Sequence, residues 1–211
     1  MELPIEKLEE AEPKQRRLLA PALITLAAAA SACAPLITQS PNEGWRPVNV
    51  KPAADTGRLL IDGYDVVAFF VENRARPGIP TIRSDYKGVT LHFVSTENKL
   101  RFESNPQAYL PQYGGYCANG IVYGIPWGGD GNSYRIFNGK LYMFGGPGSV
   151  KGFELDVPGN IALADKYWKE EVEGSNAFWQ RMKRYTYARV PHYKSGAELA
   201  ALVAEKEKTS K

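Results

Sequence analysis

The sequence predicts an α+β fold, in which two β-hairpins and short helices are followed by C-terminal helices. Two pairs of β-rich runs are each joined by a tight-turn dipeptide, Lys87-Gly88 in the first pair and Asn138-Gly139 in the second. Asn-Gly between such runs is the strongest short-range hairpin signal. Near residue 161 the apolar residues change to helical spacing. Hairpins followed by helices are typical of an α+β domain.

The elements before the first hairpin follow from turn and capping signals. Leu59-Leu60-Ile61 predicts a short strand that ends at the turn Asp62-Gly63. Asp65 is placed to cap a short apolar helix over residues 66–71, because its carboxylate can accept the first free backbone N–H groups. The first hairpin is then predicted over residues 81–86 and 89–94.

The later elements alternate between breakers and periodic segments. Thr96 begins a predicted helix in which Leu100 and Phe102 face inward, and Asn105-Pro106 ends it. Residues 112–120 are predicted to form a glycine-rich loop. Beyond it, we expect the second hairpin over residues 134–137 and 140–144, and helices over residues 161–173, over residues 176–187, and after the Ser195/Glu198 capping box.

Residues 1–37 are predicted to be an export signal, and residues 38–57 a proline-containing linker. The stretch Leu18–Ile37 carries no charge and follows Lys14, Arg16 and Arg17. The order Gln15-Arg16-Arg17-Leu18-Leu19 is typical of a twin-arginine leader, and the general secretory route stays open beside it. Either route places the domain in the bacterial periplasm or cell envelope.

The apolar stretch has three interpretations, which differ in how the protein meets the membrane. Ala30-Ser31-Ala32-Cys33 resembles a lipobox, which would make Cys33 the lipidated N-terminus, although alanine replaces the usual leucine three places earlier. Cleavage after Ala32 would instead release a soluble protein. An uncleaved anchor is the third interpretation, because a 20-residue apolar stretch is long enough to cross a hydrocarbon core.

Charge gives no indication of a nucleic-acid partner. The formal net charge is +3, and the one basic cluster, Arg181–Arg184, is typical of a solvated helix face. Trp179, Met182, Tyr185 and Tyr187 lie on or next to the same predicted helix. They are expected either to pack back on the sheet or to dock a partner.

Three motifs follow one another along the chain and together carry a resemblance. Gly63-Tyr64-Asp65 with Ala68-Phe69-Phe70 comes first, Tyr86-Lys87-Gly88 with Phe93 second, and the stretch PQYGGYCA at residues 111–118 third. This combination resembles the YHS domain of exported bacterial proteins. The likeness extends to about residue 170, which implies a YHS-like domain over residues 58–170 and a C-terminal helical extension over residues 171–211.

The resemblance implies a metal role, but the chain departs from the family at the expected ligands. YHS domains attached to copper-transporting ATPases resemble metal modules with two cysteines at the hairpin-to-helix junction, where this chain has Val94 and Asn98. A four-thiolate site is excluded, because the chain contains only Cys33 and Cys117. The remaining candidate ligands are Cys117, His92, His192, Met143 and scattered carboxylates. Among them, a Cys117–His92 pair for copper or zinc is the predicted metal site.

Each candidate site residue also has a structural alternative. Cys117 is either a ligand or redox thiol or a small buried hydrophobe. His92 either turns towards Cys117 or is a solvent-side or satisfied histidine on the strand face that it shares with Thr90. Candidates for a ligand pocket are Tyr64, Asp65, Tyr113 and Tyr116, although packing is the usual role of such aromatic residues.

Two function classes follow. The first is an exported, membrane-tethered binding protein that holds a metal such as copper, or another small ligand, near Cys117. The second is a non-catalytic envelope protein whose domain and C-terminal helices dock a protein partner without a metal. G-x-S-x-G and H-E-x-x-H motifs are absent from the sequence, so a Cys117–His92 dyad is the one pair that would supply an enzyme with a nucleophile and a base.

Overall fold

A four-stranded sheet organises the first half of the protein. The computed structural model describes residues 48–52 and 57–210. The sheet has the order β1-β2-β4-β3, with β2 parallel to β4 and the other pairs antiparallel. Its strands are β1 (Val50–Lys51), β2 (Leu59–Leu60), β3 (Ile79–Tyr86) and β4 (Val89–Phe93). The predicted first hairpin is confirmed, with Lys87 and Gly88 both at positive φ in its turn.

Three short helices pack around this sheet: α1 (Ala68–Val71), α2 (Thr96–Ser104) and α3 (Pro106–Tyr109). The predicted inward position of Phe102 is confirmed, since its side chain is 1% exposed. The same prediction is wrong for Leu100, which is 60% exposed. Residues two apart on an α-helix lie on nearly opposite sides, so both could not face the core.

Residues 112–121 are more ordered than the predicted loop. A 3-10 turn, Gln112–Gly115, leads into helix α4 (Ala118–Ile121), all of which is buried. Gly120 allows this burial, because a Cβ there would lie 2.6 Å from the carbonyl oxygen of Ile125 and 2.9 Å from the Trp127 ring.

The second predicted hairpin is confirmed as β5 (Asp130–Phe137) and β6 (Lys140–Phe144). Successive side chains of a strand point to opposite faces, and β6 uses both of its faces for burial. Leu141 and Met143 belong to the hydrophobic cluster around the first sheet. Tyr142 and Phe144 belong to a second cluster, which the C-terminal helices cover. The two clusters are therefore joined at one strand.

Four helices and a π-helical turn complete the described residues: α5 (Pro147–Phe153), α6 (Val157–Tyr167), the turn Trp168–Val172, α7 (Ala177–Thr186) and α8 (Gly196–Thr209). The Ser195/Glu198 capping box of α8 is confirmed. The fold class is α+β, as predicted. No helix in the part of the chain that the structure describes has the length and apolar content needed to cross a bilayer. The predicted leader, Cys33, and residues 38–47 and 53–56 of the linker lie outside that part.

Candidate functional site

Asp65, a predicted pocket residue, is a fully buried hydrogen-bond acceptor within the fold. Its Oδ1 accepts from the backbone N–H groups of Val67 and Ala68, at 2.8 and 3.2 Å. Its Oδ2 accepts from the Val94 N–H at 2.9 Å and from Asn98 Nδ2 at 2.8 Å. The carboxylate therefore joins α1, the end of β4 and the start of α2. The resemblance would put two cysteines at Val94 and Asn98, the residues that this carboxylate joins.

The three candidate tyrosines also have partners in the fold. The Tyr64 hydroxyl accepts from Asn132 Nδ2 at 2.9 Å. Tyr113 donates to Asp165 Oδ1 at 2.8 Å, and Tyr116 donates to the Val48 carbonyl at 3.1 Å. Tyr113 also lines a small cavity of about 170 Å³.

Two of these phenols, which are protonated at neutral pH like ordinary tyrosines, have their pKa raised further by burial. Burial raises the pKa of Tyr116 to about 12. Burial, together with the hydrogen bond to Asp165, raises the pKa of Tyr113 far above its ordinary value. Both hydroxyls are therefore donors that hold distant segments together.

His92 is buried, so its predicted solvent-side alternative is wrong. Two glycines make room for it. A Cβ on Gly63 would lie 3.0 Å from the His92 Nδ1 atom, and a Cβ on Gly78 would lie 2.6 Å from the His92 Cβ. All five residues of β4 are buried, because this strand lies between β2 and β3.

Cys117 lies immediately before α4 and is 1% exposed. Burial raises the pKa of its thiol, although hydrogen bonding to the sulfur from the backbone of Gly120 and Gly145 and from the Ser149 hydroxyl opposes this. A buried neutral thiol fits the hydrophobe alternative better than a reactive thiolate.

The described ranges, 48–52 and 57–210, contain no group of three or more His, Cys, Asp or Glu side chains that could hold a metal ion. His92 packs against Gly63 and Gly78, whereas Cys117 lies beside Gly145 and Ser149. The two-residue Cys117–His92 metal site stays a prediction.

Two cavities lie on either side of α8, and we call them together the α8 groove. Their volumes are about 530 and 590 Å³, within the range of small-molecule sites. Four residues line both cavities: Asn119, Tyr123, Lys194 and Leu199. Gly145, Ser149 and Asn119 connect the larger cavity to the surroundings of Cys117.

Asn119 is the polar residue that sequence reasoning missed. It belongs to the fully buried helix α4, is 5% exposed and borders both cavities of the groove. Its side-chain amide borders solvent in the groove rather than being sealed in the core. An amide group offers two donor hydrogens and an acceptor oxygen. It is therefore available to a molecule in the groove.

The rest of the groove combines aromatic walls with charge. Tyr123, Trp127 and Tyr193 line it, and the exposed Lys194 lies at its edge. His192 lines the smaller cavity, where its Nε2 lies 2.9 Å from the Val122 carbonyl oxygen. Such a lining suits a molecule with an apolar body and a polar head group.

Helix α8, which lies between the two cavities, is loosely held. None of its residues is buried. Leu199 packs on Gly152, Lys206 donates to the carbonyls of Glu154 and Leu155, and Glu207 pairs with Lys151 at the surface. Exposed ion pairs of this kind contribute about 0–1 kcal/mol each. The polar contacts of α8 with the rest of the domain are therefore made at the surface.

Comparisons with protein-family models, with curated proteins and with solved structures found no match to this chain. The likeness to the YHS domain therefore rests on the residues that carry it. The α8 groove is defined by the structure of this chain alone.

Proposed function

We propose that this protein is a binding protein that holds a small organic ligand in the α8 groove, next to the Cys117 loop. The observation that carries the proposal is Asn119, a polar residue that is 5% exposed and borders both cavities with its amide. A ligand that hydrogen-bonds to this amide would replace the water that reaches it in the groove.

The class of ligand follows from the lining. Tyr123, Trp127 and Tyr193 favour an aromatic or aliphatic body. Asn119 and Lys194 favour a head group with acceptor oxygens, such as a carboxylate or sulfonate. The ligand enters when α8 moves, because this helix has no buried residue.

A fluorescent probe tests the proposal on the full chain. Anilinonaphthalene sulfonate has an apolar aromatic body and an anionic head, and its emission rises in an apolar site. We expect Asn119→Ala to weaken its binding about tenfold, the equivalent of one hydrogen bond to a charged group. Asn132→Ala, at an exposed asparagine of β5 that lines neither cavity, is the matched control.

A pair of substitutions on α8 separates the groove from other apolar surfaces. Ala200 lines the larger cavity, whereas its neighbour Ala201 lines neither. Ala200→Trp is expected to abolish probe binding, and Ala201→Trp to leave it within twofold of the unmodified chain. Equal affinity in all four variants would refute the groove as the site.

The metal alternative is tested separately. Titration of the chain with copper or zinc, beside Cys117→Ser, distinguishes it from the organic ligand, since Cys117 does not line the groove. Metal binding that Cys117→Ser abolishes would support the alternative.

We also propose that residues 1–37 direct export of the protein and tether it to the membrane. Fractionation of cells that express the chain, with Cys33→Ala and Arg16→Lys/Arg17→Lys variants, tests them. Loss of membrane association in Cys33→Ala would support the lipid anchor.

A further inference from the structure

Helix α7 is packed with its polar face against the protein. Its buried residues are Ala177, Gln180 and Arg184. Gln180 Nε2 donates to the Gly124 carbonyl at 3.0 Å and to Glu171 Oε2 at 3.1 Å. Arg184 donates to the Ala188 carbonyl and to Glu171, and lies over the Tyr167 ring. Hydrogen bonds and charge thus hold the helix in place.

The opposite face of α7 is apolar and exposed. Trp179 is 68% exposed, Met182 41% and Tyr185 50%, and Tyr187 just beyond the helix is 80% exposed. The alternative in which these side chains pack back on the sheet is therefore wrong, and the alternative in which they dock a partner stays a prediction. A surface helix normally buries its apolar face, so this reversed arrangement indicates a surface kept for contact with something else.

The charge around this face limits what that contact is. Residues 177–194 contain five basic side chains and no acidic one. Lys183 and Arg184 pair with Glu171, Arg181 donates to the Pro126 carbonyl, and Lys194 lines the α8 groove. Arg189 remains exposed beside Tyr193. A second copy of the chain would present the same positive charge, so self-association through this face is disfavoured.

We propose that the exposed face of α7, formed by Trp179, Met182, Tyr185 and Tyr187, docks on an anionic lipid bilayer. Tryptophan and tyrosine favour the bilayer interface because their rings are apolar and their tips are polar. The exposed Arg189, two residues beyond Tyr187, adds attraction to anionic head groups. The charge-free stretch Leu18–Ile37, which the sequence predicts to be a leader or membrane anchor, supports this occupant. The proposal does not depend on the small-ligand function.

Quenching of Trp179 fluorescence by lipid tests the contact in the full chain. The protein is bound to phosphatidylcholine vesicles with or without phosphatidylglycerol, in which brominated acyl chains quench nearby tryptophan. The difference between the unmodified chain and Trp179→Phe isolates the emission of Trp179 from that of the other tryptophans. The N-terminal segment is present in both, so it contributes equally.

We expect the Trp179 emission to fall at least twofold in the anionic vesicles, and Arg189→Glu to reverse most of that fall. Leu100→Ser, which removes an exposed apolar side chain from α2, is expected to change nothing. Unquenched Trp179 in both vesicles would overturn the proposal. Equal quenching without phosphatidylglycerol would overturn the role of anionic head groups. Burial of Trp179 when the protein concentration is raised without lipid would show that the exposed face of α7 binds protein instead.

Discussion

Replacement of Asp65 by alanine tests whether this residue is a structural centre or part of a pocket. The substitution removes a carboxylate that accepts four hydrogen bonds. The donors from Val67, Ala68 and Asn98 are buried, and an unsatisfied buried donor costs about 1–3 kcal/mol. Since water can reach some of them once the carboxylate is gone, we expect a loss of about 4 kcal/mol in the free energy of unfolding.

Urea unfolding measures this loss. For a slope of about 2–3 kcal/mol per molar, the midpoint is expected to fall by roughly 1.5 M. Asp62→Asn is the matched control, because the Asp62–Lys51 ion pair is exposed and contributes about 0–1 kcal/mol. Asparagine also tolerates the positive φ at this position.

A double-mutant cycle with Asn98 keeps the test decisive if Asp65→Ala is too unstable to fold fully. Asn98→Ala removes one donor and is expected to cost about 1 kcal/mol. In the Asp65→Ala background, Asn98→Ala is expected to cost nothing, because the Asn98 amide has already lost the carboxylate that accepted its hydrogen bond. Additive losses, or a loss below about 1 kcal/mol for Asp65→Ala, would refute the structural role and favour the pocket role.

Three further predictions concern other parts of the molecule. Burial of the Glu171 carboxylate is outweighed by hydrogen bonds from Lys183 and Gln180 and by the charge of Arg184, so its pKa lies below the ordinary value of 4.5. Its contribution to stability is therefore complete above about pH 4.5 and is lost as the pH falls through the folded pKa. Glu171→Gln should therefore lower the thermal midpoint more at pH 7 than in acid below pH 4.5. Cys117 is expected to react with iodoacetamide far more slowly in the native protein than in urea, as measured by peptide mass spectrometry, and equal rates would contradict its burial. Gly120→Ala is expected to cost about 2 kcal/mol in unfolding free energy through overpacking, and an unchanged urea midpoint would show that α4 can shift.

Local signals predicted the hairpins and helix starts well. Lys87-Gly88, Asn138-Gly139 and the Ser195/Glu198 capping box each fix a few backbone dihedrals or N–H groups, so neighbouring residues suffice to specify them. The prediction for Leu100 was wrong although its helix was predicted correctly. Which side of a helix faces the core depends on the elements that pack against it, and these are distant in sequence.

The site depends on contacts between distant parts of the chain, which a single sequence does not encode locally. The burial of His92 follows from glycines 29 and 14 residues earlier in the chain, Gly63 and Gly78. Asn119 is an ordinary asparagine in sequence, and its importance comes from its position beside two cavities that residues far away in the chain help to form. The reversed orientation of α7 follows from Glu171, which holds the polar face of that helix inward.

Side-chain amide NMR of Asn119 tests the central claim most directly. In a ¹H–¹⁵N correlation spectrum of the full chain, the Asn119 NH₂ pair is assigned by its loss in Asn119→Ala. On addition of anilinonaphthalene sulfonate, we predict that this pair shifts in a saturable way together with the backbone amides of Tyr123 and Leu199, while the Asn132 NH₂ pair stays in place. A saturable shift elsewhere with the Asn119 pair unmoved would contradict the claim that the α8 groove is the ligand site.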